Sequence, residues 1–175
     1  MKQLSIAFVV LASVGSARAD ESVVATAPRN TIGVDGIGVL PIGDYAHAAT
    51  VGVGALGRVE IPTGPGFATV RAGVVAHAGT PDNVALTLVP IYAGFRVPFG
   101  TGGAYIAGEL GITVAFGSVV AVNGTMVTAS DSKLGLTFAG GVRRGALDFR
   151  AGLFAPDIGN AIGLMASAGY DFASF

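Results

Sequence analysis

From Ile32 to Phe172, apolar residues alternate with Gly, Thr, Arg, Asp or Glu in eight stretches separated by turn residues. A period of two puts successive side chains on opposite faces of a strand. It predicts strands at residues 31–40, 50–61, 67–77, 86–99, 103–115, 133–144, 146–154 and 162–172. Most of these reach the roughly 9–11 residues that a tilted membrane-spanning strand needs. The connectors alternate in length. Thr63-Gly64-Pro65-Gly66, Gly100-Thr101-Gly102 and the Gly145 junction are tight turns, whereas residues 43–49, 78–85, 116–132 and 155–161 form longer connections. An even strand count, with short turns at one end and longer loops at the other, predicts an all-β, eight-stranded antiparallel up-and-down transmembrane β-barrel.

Phase assigns the faces. In the second strand Val51, Val53, Ala55, Val59 and Ile61 oppose Thr50, Gly52, Gly54, Arg58 and Glu60. In the third, Ala68, Val70, Ala72, Val74 and Ala76 oppose Thr69, Arg71, Gly73 and His77. The fifth sets Ile106, Leu110, Ile112 and Val114 against Tyr105, Glu109, Gly111 and Thr113. The seventh sets Leu147, Phe149, Ala151 and Leu153 against Asp148, Arg150 and Gly152, and the last sets Leu164, Ala166, Ala168, Tyr170 and Phe172 against Ser167, Gly169 and Asp171. Charges keep to one phase within each of these strands. A soluble sandwich shows the same alternation with its polar face toward water, so a second criterion is needed.

That criterion is the content of the polar phase. It is dominated by Gly, Thr and Ser, which suits a narrow lumen better than a solvated surface. Its charges also balance: Arg58, Arg71, Arg96, Arg143 and Arg150 against Asp35, Glu60, Glu109, Asp148 and Asp171. An unpaired buried charge costs several kcal/mol, so equal numbers of each sign imply pairing in a confined space. With both termini in the periplasm, most of the ten fall in the periplasmic half of the lumen, while Asp35 and Glu109 sit nearer mid-strand. The expectation is an Arg–carboxylate network plugging that half, since the planar guanidinium suits bidentate pairing. An eight-stranded barrel has room inside for side chains or one small ligand, which argues against a large open pore.

Composition then bounds the rest. The 175-residue chain is 51% hydrophobic with 28 glycines and mean hydropathy +0.67, yet contains no segment that resembles a membrane helix after its first twenty residues. Lys2, the apolar run from Leu4 to Val14, and Ala17-Arg18-Ala19 before Asp20 form an export signal. The predicted organisation is a signal peptide at 1–19, a flexible periplasmic leader at 20–30, and the barrel at 31–175. Cleavage near Ala19 removes Lys2 and Arg18, leaving eight basic against eleven acidic residues, a net charge of −3, with Lys133 the sole lysine. No basic run is present to neutralise a phosphate backbone, which argues against nucleic-acid binding. The absence of Cys removes disulfides and thiolate metal sites.

The run Val89-Pro90-Ile91-Tyr92-Ala93-Gly94-Phe95-Arg96-Val97-Pro98-Phe99, followed by Ala104-Tyr105-Ile106-Ala107-Gly108-Glu109-Leu110-Gly111, resembles the middle of small bacterial outer-membrane barrels. The closing Gly169-Tyr170-Asp171-Phe172 does as well. The resemblance is to the OmpA/OmpX-type and opacity-like eight-stranded barrels, often labelled porin family proteins. It implies residence among the lipids of the outer membrane of a Gram-negative bacterium. It also implies insertion by the barrel assembly machinery, with Tyr170 and Phe172 as the aromatic signal on the last strand. Ala173-Ser174-Phe175 departs from the pattern by setting Phe175 out of phase with Phe172, so either a short tail follows the strand or a bulge restores the register. Phe99, Phe149, Tyr170 and Phe172 fall near the periplasmic rim and Phe116 near the outer rim, a thin aromatic girdle without Trp.

Other motifs carry less. Gly52-Val53-Gly54-Ala55-Leu56-Gly57 matches G-x-G-x-x-G, but the strand period continues through Arg58-Val59-Glu60 where a dinucleotide site needs a helix. No cofactor is therefore expected. His47 and His77, with Asp44 and Asp82 nearby in sequence, could form a metal site at the barrel mouth; solvated rim residues are the blander reading. Ser118, Ser130 and Ser132 lie in the longest loop without a neighbouring base, and no catalytic constellation is apparent. Asn123-Gly124-Thr125 is a glycosylation sequon in form only. The apolar, β-prone stretch 116–132 extends its hairpin above the membrane or contacts a partner, and nothing in it names that partner. The leading expectation is a structural or interaction barrel with a plugged lumen. The alternatives are a narrow channel for ions or small solutes and a secreted soluble barrel binding a small apolar ligand.

Overall fold

The computed structural model describes residues 29–77, 85–120 and 126–175. The expected export signal, most of the expected leader, Asp82 and the Asn123-Gly124-Thr125 sequon lie outside the described residues. Eight strands run in chain order: β1 (Thr31–Ile42), β2 (Gly52–Thr63), β3 (Gly66–His77), β4 (Ala85–Phe99), β5 (Ala104–Val120), β6 (Met126–Arg144), β7 (Leu147–Asp157) and β8 (Ala161–Ser174), with one short helix, α1 (Asp44–Ala48), between β1 and β2. Each strand pairs antiparallel with its neighbours in sequence, and β1 pairs with β8, closing an up-and-down barrel. The tight turns form where the glycines predict them. Thr63 pairs with Gly66 and Arg144 with Leu147 across two-residue turns whose first members, Gly64 and Gly145, have φ of 53° and 59°. A side chain beyond Cα is strained at such angles.

The distribution of side chains is inverted relative to a water-soluble domain. Val53, Phe95 and Phe172 are 60–65% exposed, whereas Arg58 and Glu109 are 1% exposed and Glu60 is 0%. Val34, Ile61, Val70, Ile91, Leu110, Ile112, Phe138, Phe149 and Leu164 continue the apolar outer surface around the wall. Closure lets every mid-strand backbone group find a partner, the condition for a sheet to cross lipid. The barrel is a transmembrane one.

Several elements differ from the sequence expectation. β5 and β6 run past the expected strand bounds of 115 and 133 through pairs such as Phe116 with Ser130 and Ser118 with Thr128, which is the hairpin extension expected of the 116–132 stretch. The 43–49 connection contains α1, whose Tyr45 turns into the barrel and is 4% exposed. β7 runs to Asp157 through a register shift after Phe154, and Phe154, Ala155 and Pro156 are all buried. β8 also carries a bulge. Gly33 pairs with Asp171 but Ile32 pairs with Ala173, leaving Phe172 as the extra residue. The ladder then continues to the end, with backbone hydrogen bonds of 3.1 and 3.2 Å between Asn30 and Phe175. The bulge thus brings Phe175 into the outward phase of Tyr170 and Phe172, and its side chain is 68% exposed.

The lumen is filled in two tiers. The half nearer the chain termini holds the charged residues, while the other half holds an apolar cluster of Ile37, Val39, Leu56, Val75, Leu88, Tyr92, Phe154 and Met165, with Tyr45 and Ala49 above it. The expectation of a polar interior describes only the first tier. The apolar residues share the inward phase of their strands, but near them both faces are apolar and alternation no longer reports which is which.

Candidate functional site in the lumen

Positions 58, 60, 71, 96, 109, 148 and 150 face inward because each lies an even number of residues from its strand's other lumen positions. The tight turns set the vertical register, and with Asp35, Arg143 and Asp171 they bring charges from all eight strands into one half of the lumen. Arg58 is the hub: it pairs with Asp148, with Asp171 at 2.6 Å, with Asp35 at 3.6 Å and with Glu60 at 3.9 Å. Glu60 accepts a fork from Arg96, whose Nε and Nη2 lie 3.1 and 3.0 Å from its two oxygens, and a third bond from Arg143 Nη1 at 2.6 Å. Arg143 also reaches Asp148 at 3.1 Å and Asp171 at 3.4 Å.

A second branch lies deeper. Arg71 donates through Nε to Asp35 at 3.0 Å and through Nη1 to Glu109 at 3.3 Å. Glu109 takes a further bond from Arg150 Nη1 at 2.7 Å. All ten charged residues predicted to line the lumen therefore lie in one connected set of ion pairs, and the hub places Asp35 in both branches. Arg143 and Asp171, 14% and 10% exposed at their side chains, form its more open end.

Uncharged residues complete the set, and sequence reasoning passed over them. Tyr105 donates its hydroxyl to Asp148 at 2.5 Å and accepts from Arg150 Nε at 3.3 Å. Its ring lies 5.2 Å from the Arg96 guanidinium, which stacks over Phe67 at 4.1 Å on its other side. Thr137 and Thr69 donate to Glu109 at 2.8 and 3.3 Å, and Thr31 donates to Glu60 at 3.4 Å. Tyr105 and Thr69 stand in the inward phase that the sequence predicts, and only their lack of charge hides them there. Lumen glycines make the space. A Cβ on Gly141 would collide with the Tyr105 ring, and one on Gly94 would collide with the backbone of Gly108 and Glu109. Three donors, Arg58 Nε, Arg143 Nε and Arg150 Nη2, have no hydrogen-bond partner, and Arg71 Nη2 sits 2.9 Å from Asp35 as an ion pair without hydrogen-bond alignment.

The two histidines do not come together. His47 is exposed on α1, whereas His77 is 5% exposed. The His77 Nδ1–H donates to the Thr50 carbonyl at 2.7 Å, so Nε2 accepts the Tyr45 hydroxyl at 2.7 Å. Both ring nitrogens are engaged, which corrects the picture of a solvated rim residue and leaves no lone pair for a metal. Burial raises the Tyr45 hydroxyl well above its ordinary value. No group of three His, Asp or Glu that could hold a metal is present among the described residues. The G-x-G-x-x-G run lies wholly inside β2, with Gly52 under the His77 ring and Gly54 against the Val74–Val75 backbone. Ser118 Oγ lies 3.3 Å from Thr128 Oγ1 across the exposed hairpin, not beside a base.

No protein-family model matches the chain, and no curated protein sequence matches it. Solved structures do. The N-terminal β-barrel domain of Pseudomonas aeruginosa OprF superposes with a TM-score of 0.55 at 9% identity, covering 81% of this chain and 97% of that one. Ail, the attachment invasion locus protein of Yersinia pestis, crystallised with the heparin analogue sucrose octasulfate, superposes with a TM-score of 0.53 at 14% identity, covering 82% and 97%. At these identities the likeness is one of fold.

Proposed function

We propose that this chain is an integral barrel of a Gram-negative outer membrane, with a structural or interaction role and a lumen closed to solutes. The observation that carries the reading is the ten-residue ion-pair network, whose members span the barrel from wall to wall below the apolar tier. A conduction path needs mobile charges and water, and here the guanidinium and carboxylate groups are committed to one another. Location is supported by the export signal ending near Ala19 and by the fold shared with barrels from P. aeruginosa and Y. pestis. Insertion is assigned to the outer-membrane barrel assembly machinery, with Tyr170 and Phe172, joined by Phe175 through the bulge, as the aromatic ridge it reads.

The role of the loops follows from charge. Among the described residues at the α1 end, Asp44, Asp131 and Asp157 outnumber Lys133, which itself pairs with Asp131 at 2.8 Å. Such a rim repels polyanions, so a sulfated sugar like the one bound to Ail is a poor candidate partner. Neutral or cationic surfaces suit it better.

Planar-bilayer recording of the purified wild type tests the closed lumen: no unitary steps are expected, and stable conductance overturns it. Fractionation tests the location. Recovery with the outer membrane and heat-modifiable gel migration are expected, and recovery in soluble periplasm without detergent overturns the assignment.

A further inference from the structure

We infer that the barrel is closed twice, by two chemically different barriers in series, and that the apolar tier alone blocks passage when the ion-pair network is broken. The inference rests on the closed-lumen reading above and assigns the second closure to Phe154 and Tyr92. Both are almost wholly buried, at 0% and 2% exposure, and their rings stand 6.2 Å apart in a tilted contact across the lumen. Leu56, Val75, Ile37 and Met165 complete a cross-section to which the opposite wall also contributes.

Tyr92 is fixed in this position. Its hydroxyl bonds Thr113 Oγ1 at 2.5 Å, and the ring occupies space that a Cβ on Gly111 or Gly135 would fill. The glycines opposite it are therefore part of the same device, since they admit a large ring where a wall side chain would stand. Phe154 is turned inward next to the register shift of β7. Above the tier, Tyr45 seats the short helix over the mouth through its bond to His77.

Physically the two tiers stop different things. The ion-pair network stops solutes by occupying space with groups that attract each other, and removing one arginine frees volume and leaves an excess negative charge that water can solvate. An apolar constriction excludes water itself, and an ion entering it loses hydration without gaining a partner. Breaking the network thus opens a water-filled vestibule that ends at Phe154 and Tyr92.

Conductance of four proteins tests this: wild type, Arg96→Ala, Phe154→Ala and the double variant, each first shown to be folded by heat-modifiable migration. Wild type and both single variants should give no resolvable steps, while the double variant should give unitary steps. Steps in Arg96→Ala equal to those of the double variant overturn the second barrier, as does a silent double variant. Steps in the wild type overturn instead the closed-lumen reading on which the inference rests. Should Phe154→Ala fail to fold, Tyr92→Ser in the same scheme carries the same expectations, because it removes the opposing ring of the constriction.

Discussion

At the scale of single residues, the lumen charges differ in how replaceable they are. Glu109 accepts from two arginines and two threonines and is 1% exposed, so its removal strands Arg150, whose only ion-paired carboxylate it is among the described residues. Glu109→Ala should destabilise the barrel by about 3–5 kcal/mol, as expected when one partner of a buried pair is lost. Denaturant unfolding in lipid vesicles measures it. Arg150→Ala combined with Glu109→Ala should cost less than the sum of the two single changes, because the stranded charge disappears. Strict additivity would show that the pair is not coupled. The phase of two made these positions legible in sequence. It could not say which arginine meets which carboxylate, because Arg71 and Glu109 are brought together by strand register across β4 rather than by spacing along the chain.

At the scale of elements, the last strand and the longest hairpin are the informative ones. The sequence left Phe175 open between a tail and a bulge. The structure resolves this through the closing ladder, since pairing Asn30 with Phe175 requires one extra residue on β8, and Phe172 supplies it. Deleting Phe175 removes two backbone hydrogen bonds at the seam and one outward aromatic side chain. The fraction of protein reaching the heat-modifiable form in cells should fall relative to wild type, and an unchanged fraction would remove Phe175 from the proposed assembly signal. The outer part of β5 and β6 contributes nothing to the charge network. Replacing residues 117–129 by a short turn should therefore leave the unfolding midpoint and heat-modifiability close to wild type, whereas a large loss would show that the projecting hairpin supports the wall.

At the scale of the whole molecule, the barrel is apolar outside and charged inside, so its electrostatics are shielded from bulk ions. Exposed pairs weaken with added salt, whereas buried ones are screened far less. Raising ionic strength from about 0.1 to about 1 M should leave the unfolding midpoint nearly unchanged, as followed by tryptophan-free fluorescence of the tyrosines or by gel shift. A marked fall would place the network in contact with solvent.

By itself the sequence determined the eight strands, the tight turns, the inward phase of all ten charges and the inverted distribution of polarity. These follow from local rules: period two, glycine at positive φ, and the cost of a charge in lipid. Only the tertiary structure decided the partners within the network, the recruitment of Tyr105 and Thr137, the apolar tier around Phe154 and Tyr92, and the seat of Tyr45 on His77. Each depends on barrel closure, which sets strands distant in sequence face to face across a narrow lumen. Where inward and outward residues are both apolar, as around Ile37 and Leu56, alternation falls silent, and packing across that lumen is what distinguishes the core from the wall.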